Sequence, residues 1–184
     1  MQSVLLEAEK NNEVQIVYFD ASGFTTVPCV PYAWQKKSQT LELPSKLSKR
    51  LNILGFMRKN NDSFFYPHEG NVTSDTVINA FEAFGRHYAP IYAQTKIPCV
   101  VILDNAPVQT SAAFLEKAED RYSYGLGLHF LPTYSPELNL IEILWRKMKY
   151  EWISFNAYTG YMNLKEEVLE ILSQVGKKYT ITFA

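Results

Sequence analysis

The chain has 184 residues, of which 47% are hydrophobic and 20% charged, and its formal net charge is -1. Such a chain suits one globular domain with a sizeable core and excludes an intrinsically disordered one. No apolar stretch reaches the roughly 18 residues that a bilayer crossing needs, and "MQSVLLEAEKNNE" at the N-terminus lacks the basic start and apolar run of a secretory signal, so the expected location is the cytoplasm. The near-neutral charge also argues against a domain that grips DNA through its bulk charge; any nucleic-acid role needs local basic patches, a metal or another domain.

In chain order, "VQIVYFD" (14–20) predicts a strand ending at Asp20. "ASGFTTVPCVPYAW" predicts a turn at Gly23 and a second strand limited by Pro28 and Pro31. Residues 41–50 form a polar, Lys-rich connector, 51–59 a third strand and "DSFFYPH" a short fourth. Val77, Phe81, Phe84 and Tyr88 repeat at helical spacing and predict a helix over 74–88 with Ser74 as N-cap. "IPCVVILD" (97–104) is the most apolar strand and is expected at the centre of the sheet. Pro107 opens a helix to about Asp120, 127–132 is a further strand, and 135–152 and 163–175 are helices. The C-terminal "KKYTITFA" is open between a strand, a swapped arm and disorder. Strands first, then strand and helix in alternation, indicate an α/β or α+β domain with a mixed sheet.

Cys29 and Cys99 sit far apart in apolar contexts and read as buried free thiols. His68, His87 and His129 show no zinc-ligand spacing, and no C-x-x-C is present. Two basic patches stand out: Lys36, Lys37, Lys46, Lys49 and Arg50, then Arg146, Lys147 and Lys149. Both also fit solvated surface.

Three acids attract attention. Asp20 and Asp104 each end an apolar strand, where functional groups gather in open α/β sheets. Leu138, Ile141, Trp145, Met148 and Trp152 form a core-facing helical stripe, and Glu142 lies at its edge, roughly 80° from the centre. Glu137, on the opposite flank, is a weaker candidate. Two carboxylates about 4 Å apart repel by roughly 4 kcal/mol at an effective dielectric near 20. Convergence is therefore tolerated only where protons or cations compensate. Hard divalent cations take oxygen ligands and leave positions for phosphate oxygens, which points to phosphodiester cleavage or transfer. Each acid also has a local explanation. Asp104 or Asn105 fits a helix cap, and Asp20 fits the first position of a "DASG" turn. Glu142 fits a pair with Arg146, or a capping box with Asn139.

"FDASGF", "VVILDNAPVQTS" and "LPTYSPELNLIEILWRKMK" together resemble the catalytic domain of DDE transposases of the mariner-like superfamily, in particular its bacterial insertion-sequence branch. The resemblance covers roughly residues 14–152, and "YSPELNLIEILW" is its most specific part. It implies a ribonuclease H-like fold, a central mixed five-stranded sheet flanked by helices, over a single domain 1–184. By motif position Asp20, Asp104 and Glu142 match the three catalytic acids, and they would hold two Mg²⁺ or Mn²⁺ ions. The implied reaction is cleavage and strand transfer at transposon ends, on double-stranded DNA. Asn105 matches a polar neighbour of the second acid and, with Lys36, Lys37, Arg146 and Lys149, is a candidate DNA contact. Ala21 stands where the family often has Glu, and Gln109 where it often has His. Thirty-seven residues separate Asp104 from Glu142, a little more than the commonest spacing in the superfamily. Only 13 residues precede the first expected strand. The helix-turn-helix region that such transposases use is therefore expected from elsewhere, as another domain or subunit, with a homodimer as a further partner. The implied setting is the bacterial nucleoid. Two alternatives remain: a non-catalytic interaction module, with Trp34, Trp145 and Trp152 as partner surfaces, and a stand-alone ribonuclease H-like nuclease.

Overall fold

A computed structural model describes residues 2–29, 49–132 and 138–183. Lys36 and Lys37, Trp34, and the Pro31 end of the expected second strand lie outside them, as does Glu137. The elements are α1 (Gln2–Lys10), β1 (Gln15–Phe24), β2 (Leu51–Met57), β3 (Ser63–Glu69), α2 (Ser74–Thr95), β4 (Cys99–Leu103), α3 (Ala112–Glu116), α4 (Ala118–Ser123), β5 (Leu126–Phe130), α5 (Ile141–Lys147) and α6 (Tyr161–Ser173). A π-helical turn, Met148–Trp152, continues α5, and a 3₁₀ turn, Phe155–Thr159, precedes α6.

The five strands form one sheet in the order β3-β2-β1-β4-β5. β1 pairs antiparallel with β2 and parallel with β4, so the sheet is mixed, as expected. β2–β3 and β4–β5 extend it on the two sides. From β1 the chain adds strands first on one side and then on the other. The carboxyl ends of β1 and β4 therefore meet at a topological switch point, where open α/β sheets place their crevices.

Alternation along the strands divides the core in two. Ile16, Tyr18, Phe24 and Ile102 face a cluster with Ile141, Leu144, Trp145 and Met148 of the α5 segment and Leu164 and Val168 of α6. Val17, Phe19, Val101 and Leu103 face Val77, Phe81 and Phe84 of α2 and Phe114 of α3. Aromatic packing anchors the second face: Phe56 stacks on Phe84 at 4.3 Å and meets Phe19 at 4.8 Å. Each such pair adds about 0.5–1.5 kcal/mol beyond its buried area.

The structure corrects several expectations. There is no turn at Gly23. β1 runs through to Phe24 because residues 18 to 24 continue to pair with Met57 to Leu51, a partner far along the chain. Among the described residues no separate strand follows it. α2 begins on a reciprocal capping box between Thr73 and Thr76, so Thr73 and not Ser74 is the N-cap. It also continues past the exposed Pro90 to Lys96, whose left-handed φ of 58° ends it. The helix expected from Pro107 starts only at Ala112, with Ser111 Oγ accepting from the Phe114 N–H, and it is split into α3 and α4. Residues 2–10 form a helix that no periodicity announced. Cys99 is buried, but Cys29 is exposed.

The C-terminal segment is tied down. Asn61, at a φ of 70° in the β2–β3 turn, donates from Nδ2 to the Ile181 carbonyl at 3.0 Å and accepts from the Ile181 N–H at 2.6 Å. Ile181 is buried in the α6 face of the core.

Candidate active site

Strand register brings the first two acids together. Tyr18 pairs with Ile102, the last registered pair of β1 and β4. Asp20 and Asp104 each lie two residues further on, so both fall on the side of the sheet that carries Tyr18 and Ile102. Adjacent strands lie about 4.8 Å apart. Asp104 follows the last residue of β4, while Asp20 sits within β1. The alternative readings fail here: Ser111 caps the next helix, and Asp20 continues a strand and starts no turn.

α5 lies on that same side. Ile141, Leu144 and Trp145 are buried against the sheet, which leaves Glu142 exposed in the first turn at the rim. The helix has no side-chain cap. Asn139 instead turns its amide to the sheet, and Nδ2 donates to the Phe19 carbonyl at 2.9 Å. The Glu142 N–H bonds the Asn139 carbonyl at 3.1 Å, so the helix start is fastened beside Asp20.

Close packing completes the seat of α5. Gly55 on β2 faces Asp20 across the ladder. A Cβ there would lie 2.7 Å from the Trp145 ring and 2.9 Å from Ile141. Only glycine leaves room for the indole at this point of the sheet.

Asp20 carries the electrostatic signature of its surroundings. Burial pushes the Asp20 carboxyl up to about 7 from 3.8, and the negative charges of Asp104 and Glu142 add to the rise. The Ala21 N–H and the Trp145 indole act in the opposite direction. The indole Nε1 stands close enough to favour the carboxylate without forming a full hydrogen bond. Among the described residues Asp104 Oδ1, which is buried, has no hydrogen-bond partner. Among the described residues no three Asp, Glu, His or Cys side chains are clustered into a ready-made cation cage. Asp20 feels the charge of both other acids.

One basic candidate, Lys149, lies near the same rim. Lys149 Nζ lies 5.3 Å from the centre of the Phe24 ring and close enough to Asp20 for attraction, while burial lowers its proton affinity. Arg146 is exposed on the outer side of α5. Asn105 donates to the Leu131 carbonyl at 2.6 Å, so its amide also joins the ends of β4 and β5. Gln109 is buried, with Oε1 unpartnered among the described residues. Sequence reasoning missed the roles of Gly55 and Asn139. For Gly55, a glycine inside an apolar strand was the available signal.

The chemistry of the donor set fits a hard divalent cation: carboxylate oxygens from three segments, one of them buried and unsatisfied.

The family model of the DDE superfamily endonucleases matches residues 15–165. Solved structures of similar shape include the Mos1 transposase paired-end complex with the left transposon end. It is 16% identical at a TM-score of 0.64, over 94% of this chain and 52% of that one. The Mos1 transposase catalytic domain with Raltegravir and Mg is 16% identical at 0.54, over 94% and 78%. A simian T-cell lymphotropic virus intasome in complex with PP2A regulatory subunit B56 gamma is 15% identical at 0.58, over 92% and 51%. These likenesses show a common ribonuclease H-like fold. The chain spans about half the length of the Mos1 chains in the paired-end complexes it matches. No curated protein matches it.

Proposed function

The chain belongs to the DDE superfamily endonucleases, and from that premise we propose that it is the catalytic domain of a transposase which cuts DNA phosphodiesters and joins a DNA 3′-hydroxyl to a target. The observation that carries this reading is the position of Asp20, half-buried at the switch point of the sheet with its carboxyl raised to about 7 beside Asp104 and Glu142. Asp20, Asp104 and Glu142 would hold two Mg²⁺ or Mn²⁺ ions. When bound, such ions activate the attacking oxygen and stabilise the leaving one.

The chain's own residues supply position and charge. Tyr18 and Ile102 hold Asp20 and Asp104 in register, and the α5 seat on Gly55 and Phe19 presents Glu142 at the same rim. Lys149 and Arg146, with Lys36 and Lys37, would meet the phosphate backbone, and Asn105 would contact DNA beside the second acid. A net charge of -1 leaves little bulk attraction for DNA, so recognition of transposon ends falls to a helix-turn-helix domain or subunit, within a homodimer. The setting is the bacterial nucleoid, consistent with motifs of the insertion-sequence type.

A nicking assay tests this. With Mn²⁺ the chain should convert supercoiled plasmid to open circles, and Asp104→Asn should abolish the conversion. A wild-type chain that binds Mn²⁺ but leaves DNA uncut at every enzyme concentration would point to a non-catalytic module instead.

A further inference from the structure

We propose that Asn139 is a positioning residue of the acidic site: its amide nitrogen locks the helix of Glu142 to the strand of Asp20, and its carbonyl oxygen accepts a hydrogen bond from the hydration water of a bound divalent cation. This inference rests on the reading of Asp20, Asp104 and Glu142 as cation ligands.

Asn139 is 2% exposed. β1 and β4 pair only as far as Tyr18 and Ile102, and Asn139 takes the carbonyl of the next residue, Phe19, 120 positions away in sequence. Its orientation is set chemically, because a carbonyl accepts only a donor and so selects the NH₂ side of the amide. The clamp needs nothing more than that nitrogen. Oδ1 is left over, buried and without a partner among the described residues. A buried acceptor without a donor is costly, so an amide that served only as a clamp would carry a standing penalty.

Asp104 Oδ1, just beyond the end of the neighbouring strand, is in the same condition. Two such acceptors, one after the strand beside Asp20 and one at the start of the Glu142 helix, suit an occupant that brings positive charge and O–H donors. Mg²⁺ and Mn²⁺ qualify, since Mg²⁺ in particular keeps several of its waters when bound by proteins. Residues that orient a cation's ligands without touching it commonly change its affinity about 10–100-fold when removed.

The test uses the metal alone on the full chain. In wild-type protein labelled with ¹⁵N, Mg²⁺ should shift the side-chain amide pair of Asn139 in step with the backbone amides of Asp20 and Asp104. Asn139→Ala, shown to be folded by circular dichroism, should bind Mn²⁺ about tenfold or more weakly by calorimetry. If Mg²⁺ saturates the wild-type site and the Asn139 pair stays still, or if folded Asn139→Ala binds Mn²⁺ as the wild type does, the inference is overturned and the acidic site stands. If Asn139→Ala fails to fold, the wild-type spectrum decides alone. If the wild type binds neither metal, the acidic site itself is misread.

Discussion

Asp20 stands opposite Gly55 in the β1–β2 ladder, and the bare backbone of Gly55 is where the Trp145 ring comes to rest. The carboxylate, the missing side chain and the indole thus form one unit. Gly55→Ala would press a methyl group to 2.7 Å from the Trp145 ring and 2.9 Å from Ile141. Overpacking of this kind costs about 1–3 kcal/mol. Urea denaturation should show that loss, and nicking should fall with it as α5 shifts and carries Glu142 away from Asp20.

Asp20 makes stability depend on pH. Its carboxyl is raised from 3.8 to about 7, chiefly by burial, so across that interval the folded chain holds a proton that the unfolded chain has released. Stability therefore falls as pH rises through the interval, and the full cost is present above about 7. At about 1.4 kcal/mol per pKa unit, the ceiling is roughly 4 kcal/mol. Asp20→Asn should flatten this part of the stability profile and raise stability at pH 8, as read by denaturation without divalent metal. An unchanged slope between pH 5 and 8 would show that Asp20 is not the titrating group.

Metal should reverse that cost. Mn²⁺ or Mg²⁺ should raise the melting temperature, because a ligand of the native state stabilises it. The gain should grow with pH as Asp20 loses its proton. Asp104→Asn should remove most of the gain while the metal-free protein still melts cooperatively. A melting curve indifferent to both metals at pH 8 would contradict the cation site.

Lys149 offers a charge that can be removed with little loss of packing. Lys149→Met keeps a long apolar chain over Phe24. If the lysine meets a phosphate, DNA affinity should weaken several-fold and the salt dependence of binding should lose about one unit of slope. Fluorescence anisotropy at several salt concentrations reads both quantities, and an identical slope would place Lys149 outside the DNA contact.

The sequence reading succeeded where the signal is local. Val100 to Leu103 form a buried strand with Asp104 just beyond it, and the stripe through Ile141, Trp145 and Met148 faces the core with Glu142 at its edge. It failed where a distant partner decides. Gly23 looks like a turn until Asn52 pairs with it, and Asn139 looks like a cap until the Phe19 carbonyl takes its amide. The end of α2 was misread for a different reason: Pro90 is exposed, so the helix carries it at little cost to its packing. The helical turn Met148–Trp152 widens to a π form, and nothing in its composition marks that change.

Two side-chain amides join segments 120 positions apart, Asn139 to Phe19 and Asn61 to Ile181. During synthesis β1 and the β2–β3 hairpin leave the ribosome long before either partner exists. The rim that carries Asp20 can be closed only after residue 139 has been made, and the hairpin turn is secured only after residue 181. Contacts this remote slow folding. The three acids therefore meet only once segments remote in sequence have all been made and brought together.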